Sequence, residues 1–192
     1  MSASTGPSSL GTRRSGSASG SGSASGSGGN PVERFQQNLC AFWLGEHCYG
    51  LETALVGEVV TVDALTPVPL APGPVRGLFN LRGLPVALVD LAQVLELPEG
   101  GVVDEPRPGR PLVSLVLRTE RLVLGLLIRR MEMVITRGRG SLLPPEASNN
   151  EHPVVFGFLE LPDRRDLTVT VLDSHELLAR LDRLKYLDGS DA

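Results

Sequence analysis

The feature that most narrows what this chain can fold into is that its second half repeats its first. "GLFNL" at residues 77–81 returns as "GFLEL" at 157–161. Each is followed by a turn, a second apolar run ("PVALV" and "LTVTV") and an aspartate that opens a short amphipathic stretch, "DLAQVLEL" from Asp90 and "DSHELLARL" from Asp173. The earlier part of each half corresponds as well, "CAFWLGEHCYGL" against "LVSLVLRTERLVLGL", ending in Gly50-Leu51 and Gly125-Leu126. Nine residues beyond each glycine stands a valine, Val59 and Val134, with Val56 and Met131 at matching places.

Short runs rich in β-branched residues and bounded by glycine-bearing turns read as strands. The repeat therefore predicts a mainly β fold: two similar small five-stranded, SH3-like barrels packed side by side, each with a short capping helix. Closing a barrel removes its sheet edges, and a neighbour buries its remaining apolar face. The expected first barrel is about 38–97 and the second about 112–182, joined by the Pro-, Gly- and charge-rich connector 98–111, with a groove between them. Helices are expected at 91–97 and 174–187, with Val94, Leu95, Leu177, Leu178 and Leu181 inward at helical spacing. Asp90 has Gln93 three residues on, and Asp173 has Glu176. Both aspartates thus read as structural N-caps within a capping-box pattern.

The stretch "RGLFNLRGLPVALVDL", residues 76–91, puts an arginine at the tip of an apolar hairpin. Arg82-Gly83 supplies a two-residue turn, where glycine accepts positive φ without steric cost. Asn80 and Gly83 read as structural parts of that turn, and Arg82 is displayed by it.

Residues 1–31 hold most of the serine and much of the glycine. So little apolar surface does not offset the entropy of ordering, and this segment is expected to be a disordered tether; a flexible C-terminus is expected at 188–192. There is no continuous apolar stretch of the signal-peptide kind and no run of about 18 uncharged apolar residues, so the expectation is a cytoplasmic protein without direct membrane insertion. The net charge is −4, and Lys185 is the one lysine among 18 basic residues. Nucleic acid is therefore an unfavoured partner, although "TRGRG" with Arg137 and Arg139 offers a short basic loop. Binding of single strands also needs stacking aromatics on a basic face. The eight aromatics here are mostly interleaved with aliphatics, as core residues are.

Cys40 and Cys48 lie on the two arms of a hairpin turning at "GEH". A two-residue loop points them to opposite faces, and a three-residue loop leaves them roughly 13 Å apart along the strand, so no disulfide is expected. Neither spacing resembles a zinc site. His47, His152 and His175 are dispersed over a turn, a loop and a helix start. With no nucleophile elbow, no P-loop and no GxGxxG following a strand, the chain presents no catalytic constellation, and no cofactor or metal is expected.

Taken in order, these motifs resemble the CheW family, the scaffold proteins of bacterial chemotaxis arrays, over roughly residues 38–182 of a domain spanning 32–187. "CAFWLGEHCYGLETALVGEVV" is similar to the family's opening hairpin and its valine-x-glutamate-hydrophobic segment, here Val56 to Val59. "TPVPLAPGPVRGLFNLRGLPVALVDL" resembles its proline-spaced loop leading into Gly77, the run Asn80 to Gly83, and Asp90-Leu91. "VLGLLIRRMEMV" and "GSLLPPEA" fall where the family's second half has a glycine-started strand and a proline-bearing loop. The resemblance implies a noncatalytic adaptor between the cytoplasmic tip of a chemoreceptor and the regulatory domain of a CheA-type histidine kinase, recruited to membrane receptor arrays. It places the receptor near Val56, Glu58, Gly77 and Arg82, with Arg82 either a clamp satisfying carbonyls across the barrel seam or a receptor contact. Arg129 and Arg130 fall on the possible kinase side. Arg129 stands where family members commonly carry an aspartate, and Ala92 where an arginine is common. Two alternatives remain: a divergent member that binds one partner in a non-flagellar pathway such as gliding or development, and, ranked below it, a small-barrel nucleic-acid binder.

Overall fold

The computed structural model describes residues 37–97, 109–145 and 152–186. Strands β1 (Leu39–Leu44) and β2 (His47–Glu52) form a hairpin, and a single 3-10 turn at Thr53–Leu55 leads into β3 (Val56–Val62). A loop connects to the second hairpin, β4 (Val75–Leu81) and β5 (Leu84–Asp90), which ends in the short helix α1 (Leu91–Val94). The second half repeats the plan with β6 (Leu112–Arg118), β7 (Val123–Ile128), β8 (Arg130–Ile135), β9 (Ser141–Leu143), β10 (Val155–Leu161), β11 (Arg164–Leu172) and α2 (Ser174–Tyr186). The tether and the C-terminus expected from composition, and most of the connector, lie outside the described residues.

The mainly β pair of small barrels is present, but its sheets do not follow the two halves. One sheet runs β8-β1-β2-β11-β10-β9 and the other β3-β6-β7-β5-β4. Each barrel thus takes its first hairpin from the opposite half, which corrects the division into 38–97 and 112–182. One cause is the length of the β7–β8 junction. Only Arg129 separates β7 from β8, and one residue is too short for a hairpin, whose tightest common loop has two. The chain therefore runs on from one sheet into the other. Strand β2 likewise passes from one sheet to the other, through its three-residue 3-10 turn into β3. Parallel pairings, β2 beside β11 and β5 beside β7, complete the exchange.

Three apolar cores follow. Leu39, Ile135, Leu142, Leu161 and Val169 come from both edges and the middle of the six-stranded sheet yet meet in one cluster, so that sheet curls around its own interior. Val62, Phe79, Leu88, Val116 and Leu127 do the same for the five-stranded sheet. The third cluster lies between the barrels and includes Phe42, Leu51, Leu91, Leu115, Leu126, Leu172, Leu177 and Leu181. The exchanged hairpins are buried on both faces: in β7, Leu124, Leu126 and Ile128 face the shared core while Leu127 faces a barrel interior. Such strands read as nearly continuous apolar runs.

Both helices start as expected. Asp90 Oδ1 accepts from the N–H groups of Ala92 and Gln93 at 3.1 and 3.3 Å, and Asp173 Oδ1 from that of Glu176 at 2.9 Å. The reciprocal half of the capping box is replaced. The N–H of Asp90 donates to the Pro74 carbonyl and that of Asp173 to Val154, each at 2.8 Å, so the strand ladder already occupies the group that a capping box serves. The Gln93 amide instead donates to Asp90 Oδ2 at 3.2 Å. Burial raises the Asp90 carboxyl above its ordinary pKa, opposed mainly by the Gln93 backbone bond and nearby Arg76. Helix α1 ends at Val94 rather than Leu97, and Leu178 is half-buried, whereas Val94, Leu95, Leu177 and Leu181 are fully inward. The Gly45-Glu46 loop has two residues, and Cys40 and Cys48 are buried free thiols. Burial pushes the Cys48 thiol up to about 11.

Candidate functional site

In the five-stranded barrel the edge strands are β3 and β4. The loop after β3 comes back along β4, where Thr66 and Leu78 exchange two backbone hydrogen bonds of 2.8 Å. Gly77 permits this approach. Its φ is +144°, and a Cβ there would sit 2.7 Å from the Thr66 carbonyl oxygen. At the far end of β4, both central residues of the turn have positive φ, Arg82 at +55° and Gly83 at +88°. That is the twist a two-residue hairpin prefers, and it is costly for a residue with a Cβ. Asn80 supports it, since its Oδ1 accepts the Gly83 N–H at 2.6 Å.

Arg82 Nη2 donates to Glu58 Oε2 at 2.7 Å, joining the β4–β5 turn to edge strand β3. The clamp is thus an ion pair across the seam, not a set of backbone carbonyls. The two sides are unequal: 77% of the Arg82 side chain is exposed but only 23% of Glu58. Next to them in sequence, Val59 and Leu84 are exposed apolar residues. Glu58 and Arg82 therefore come together from distant parts of the chain. Gly77 lies elsewhere along β4, and Val56 packs against the inter-barrel core.

The second barrel closes its seam with the same chemistry. Glu132, on edge strand β8, accepts at 3.4 Å from Arg164, the first residue of β11 after its turn with β10. It also accepts from the Trp43 indole at 2.7 Å and from Arg130, whose guanidinium lies 4.5 Å from the Trp43 ring centroid. The Trp43 and Arg130 hydrogen bonds hold the Glu132 carboxyl below the usual glutamate range. Arg129 has a different place: its Nη1 donates to the Gly45 carbonyl at 3.1 Å and to Glu46 Oε1 at 2.6 Å, securing the β1–β2 turn.

Sequence reasoning missed Trp43, Glu132 and Arg164. Matching the halves does not find them, because Glu132 falls opposite Gly57 and Arg164 opposite Leu84. The available signal is the bulge: Gly57 and Glu132 are the extra residues in equivalent strands, and a bulge turns a side chain out of the regular alternation. Among the described residues no group of three or more His, Cys, Asp and Glu side chains is placed to hold a metal, and no helix is long and apolar enough to cross a membrane.

Residues 39–182 match the family model of the CheW-like domain. The chain belongs to that family. It is 34% identical over 115 residues to the chemotaxis protein CheW of Treponema pallidum, a stretch covering 59% of this chain and 64% of that protein, so the match spans just under two thirds of the relative. The fold is similar to the crystal structure of the scaffolding protein TtCheW from Thermoanaerobacter tengcongensis, with a TM-score of 0.57 at 23% identity, covering 74% of this chain and 87% of that one.

Proposed function

We propose that this protein is a noncatalytic adaptor of a chemotaxis or chemosensory pathway, joining the cytoplasmic tip of a chemoreceptor to the regulatory domain of a CheA-type histidine kinase and recruited with them to receptor arrays. The observation that carries the receptor side is the Glu58–Arg82 ridge. A guanidinium has five N–H donors in a rigid fork. With one committed to Glu58 and the side chain 77% exposed, the remaining donors are held by a fixed turn and open to a partner. Leu84, two residues beyond Arg82 in the same hairpin, is also exposed and adds apolar contact area, whereas Val59 points to the opposite face of its strand from Glu58. A rigid, exposed arginine near an exposed leucine has the composition of an interface anchor.

A second reading is favoured by Arg129 and Arg130. Their guanidinium contacts run within the chain, to Gly45, Glu46, Glu132 and Trp43, so this face offers a kinase less free charge than the sequence implied. In that reading the chain is a divergent member serving one partner in a non-flagellar pathway.

Titration calorimetry against a receptor-tip fragment and a kinase regulatory domain tests both. Glu58→Arg replaces the ion pair by two like charges, and opposed charge in an interface weakens association. The expected result is at least tenfold weaker receptor binding with kinase binding unchanged. With Arg82 77% exposed, loss of the pair costs on the order of 1 kcal/mol, and a melting curve establishes that the variant is folded before its binding is read. A folded variant with unaltered receptor affinity refutes the ridge assignment. Receptor binding without kinase binding in the unmodified protein selects the second reading.

A further inference from the structure

Leu70 occupies a place where a leucine is least expected. It lies in the loop between β3 and β4, it is fully exposed at 100%, and its φ is +60°. The Ala71 N–H donates to the Val68 carbonyl at 3.3 Å, making Pro69 and Leu70 the central residues of a tight turn. Proline followed by a residue of positive φ is the pattern of a type II turn, whose third position favours glycine or asparagine. A leucine there strains the backbone and gains no burial from its own chain. Strain without local compensation is a mark of functional positions.

We propose that Leu70 is an apolar anchor by which this protein contacts the kinase regulatory domain, inserting into an uncharged socket on that partner. This rests on the adaptor reading above. Three observations support this. From Leu65 to Val75 the loop carries no charged residue, and Val68 beside Leu70 is also exposed, so the complementary surface is apolar. Pro67, Pro69, Pro72 and Pro74 stiffen the loop, and the Val75 N–H closes its far end on the Pro72 carbonyl at 2.8 Å. A preorganised anchor loses little entropy on binding. The loop also runs away from the ionic ridge: Thr66 is fixed beside Leu78 and Pro72 beside Val75, while Arg82 lies beyond the opposite end of β4, a strand roughly 20 Å long. An adaptor that holds two partners at once needs two separate faces, and the ridge is the one assigned to the receptor.

The test is Leu70→Gly, which removes the knob and relieves the turn in one change, with Leu70→Asn as a second variant that also tolerates positive φ. Both are titrated against the receptor-tip fragment and the kinase regulatory domain, with melting curves alongside. The expected result is at least tenfold weaker kinase binding, unchanged receptor binding, and a melting temperature equal to or above that of the unmodified protein. Unchanged kinase affinity in both variants overturns the proposal, as does loss confined to the receptor. Lower melting temperatures in both variants overturn it as well, since Leu70 then supports the fold. If the unmodified protein binds neither fragment, the adaptor reading itself fails, and this inference fails with it.

Discussion

Replacing Gly77 with alanine should be among the most damaging single-methyl changes available in this fold. The added Cβ would stand 2.7 Å from the Thr66 carbonyl oxygen, in a backbone conformation of φ +144°. Strain at such a φ costs about 1–3 kcal/mol. Relief by moving Thr66 away weakens two hydrogen bonds to Leu78, each contributing about 1 kcal/mol net. The expected loss is therefore about 3 kcal/mol, or about 6–12 °C in melting temperature for a domain of this size. Gly83→Ala is the control. It shares the positive φ, at +88°, but its Cβ would meet nothing within 4 Å. Strain alone then predicts about 1 kcal/mol, or about 2–4 °C. Thermal unfolding followed by far-UV circular dichroism measures both. Equal shifts in the two variants would show that the clash with Thr66 is relieved without cost, and the role assigned to Gly77 would be wrong.

Two other changes probe titrating groups. Burial holds the Asp90 carboxyl above its ordinary value, so its contribution favours the fold below the unfolded pKa of about 3.9 and is lost as pH rises through the raised value. Asp90→Asn keeps an acceptor for the helix N–H groups and removes the titration, so the melting temperature of the unmodified protein minus that of the variant should fall as pH rises; a difference that stays flat or increases contradicts this. Glu132 has the opposite sign: its lowered carboxyl stabilises the fold above the unfolded pKa of about 4.3, and this is lost as pH falls through the depressed value. Since Trp43 is the single tryptophan and donates to Glu132, its fluorescence should titrate with a midpoint below about 4.3, and Glu132→Gln should abolish the transition.

The repeat makes the fold class legible in the sequence, because strands, turns and caps recur in the same order in both halves. It did not make barrel membership legible. Two hairpin-helix units stacked in sequence and two with exchanged hairpins bury the same residues and share the same periodicity. The discriminating sign is local: the single residue Arg129 between β7 and β8, too short for a turn. The turn at Arg82-Gly83 was readable from its dipeptide, yet not that Arg82 itself takes positive φ with Asn80 holding the next amide. Glu58 and Arg82 were singled out separately, and their pairing needed the third dimension. Glu132 was silent because a bulge residue leaves no periodic trace, and Trp43 and Arg164 because they lie in β1 and β11, strands whose approach to β8 no local pattern announces.

The two seams show how a duplicated fold keeps one closing device while its faces diverge. Each barrel ties an edge strand to a hairpin turn by a carboxylate and an arginine, drawn from positions that do not correspond in the repeat. In the first barrel Glu58 has one strong partner and the arginine faces solvent. In the second, Glu132 is shared by Trp43, Arg130 and Arg164, with only 13% of its side chain exposed. The same interaction thus leaves open donors on one side and a locally neutralised, aromatic-backed patch on the other. Two barrels with identical faces would compete for one kind of partner. Barrels that close alike but present unlike chemistry offer several distinct faces without any moving part, which is a property an adaptor can use.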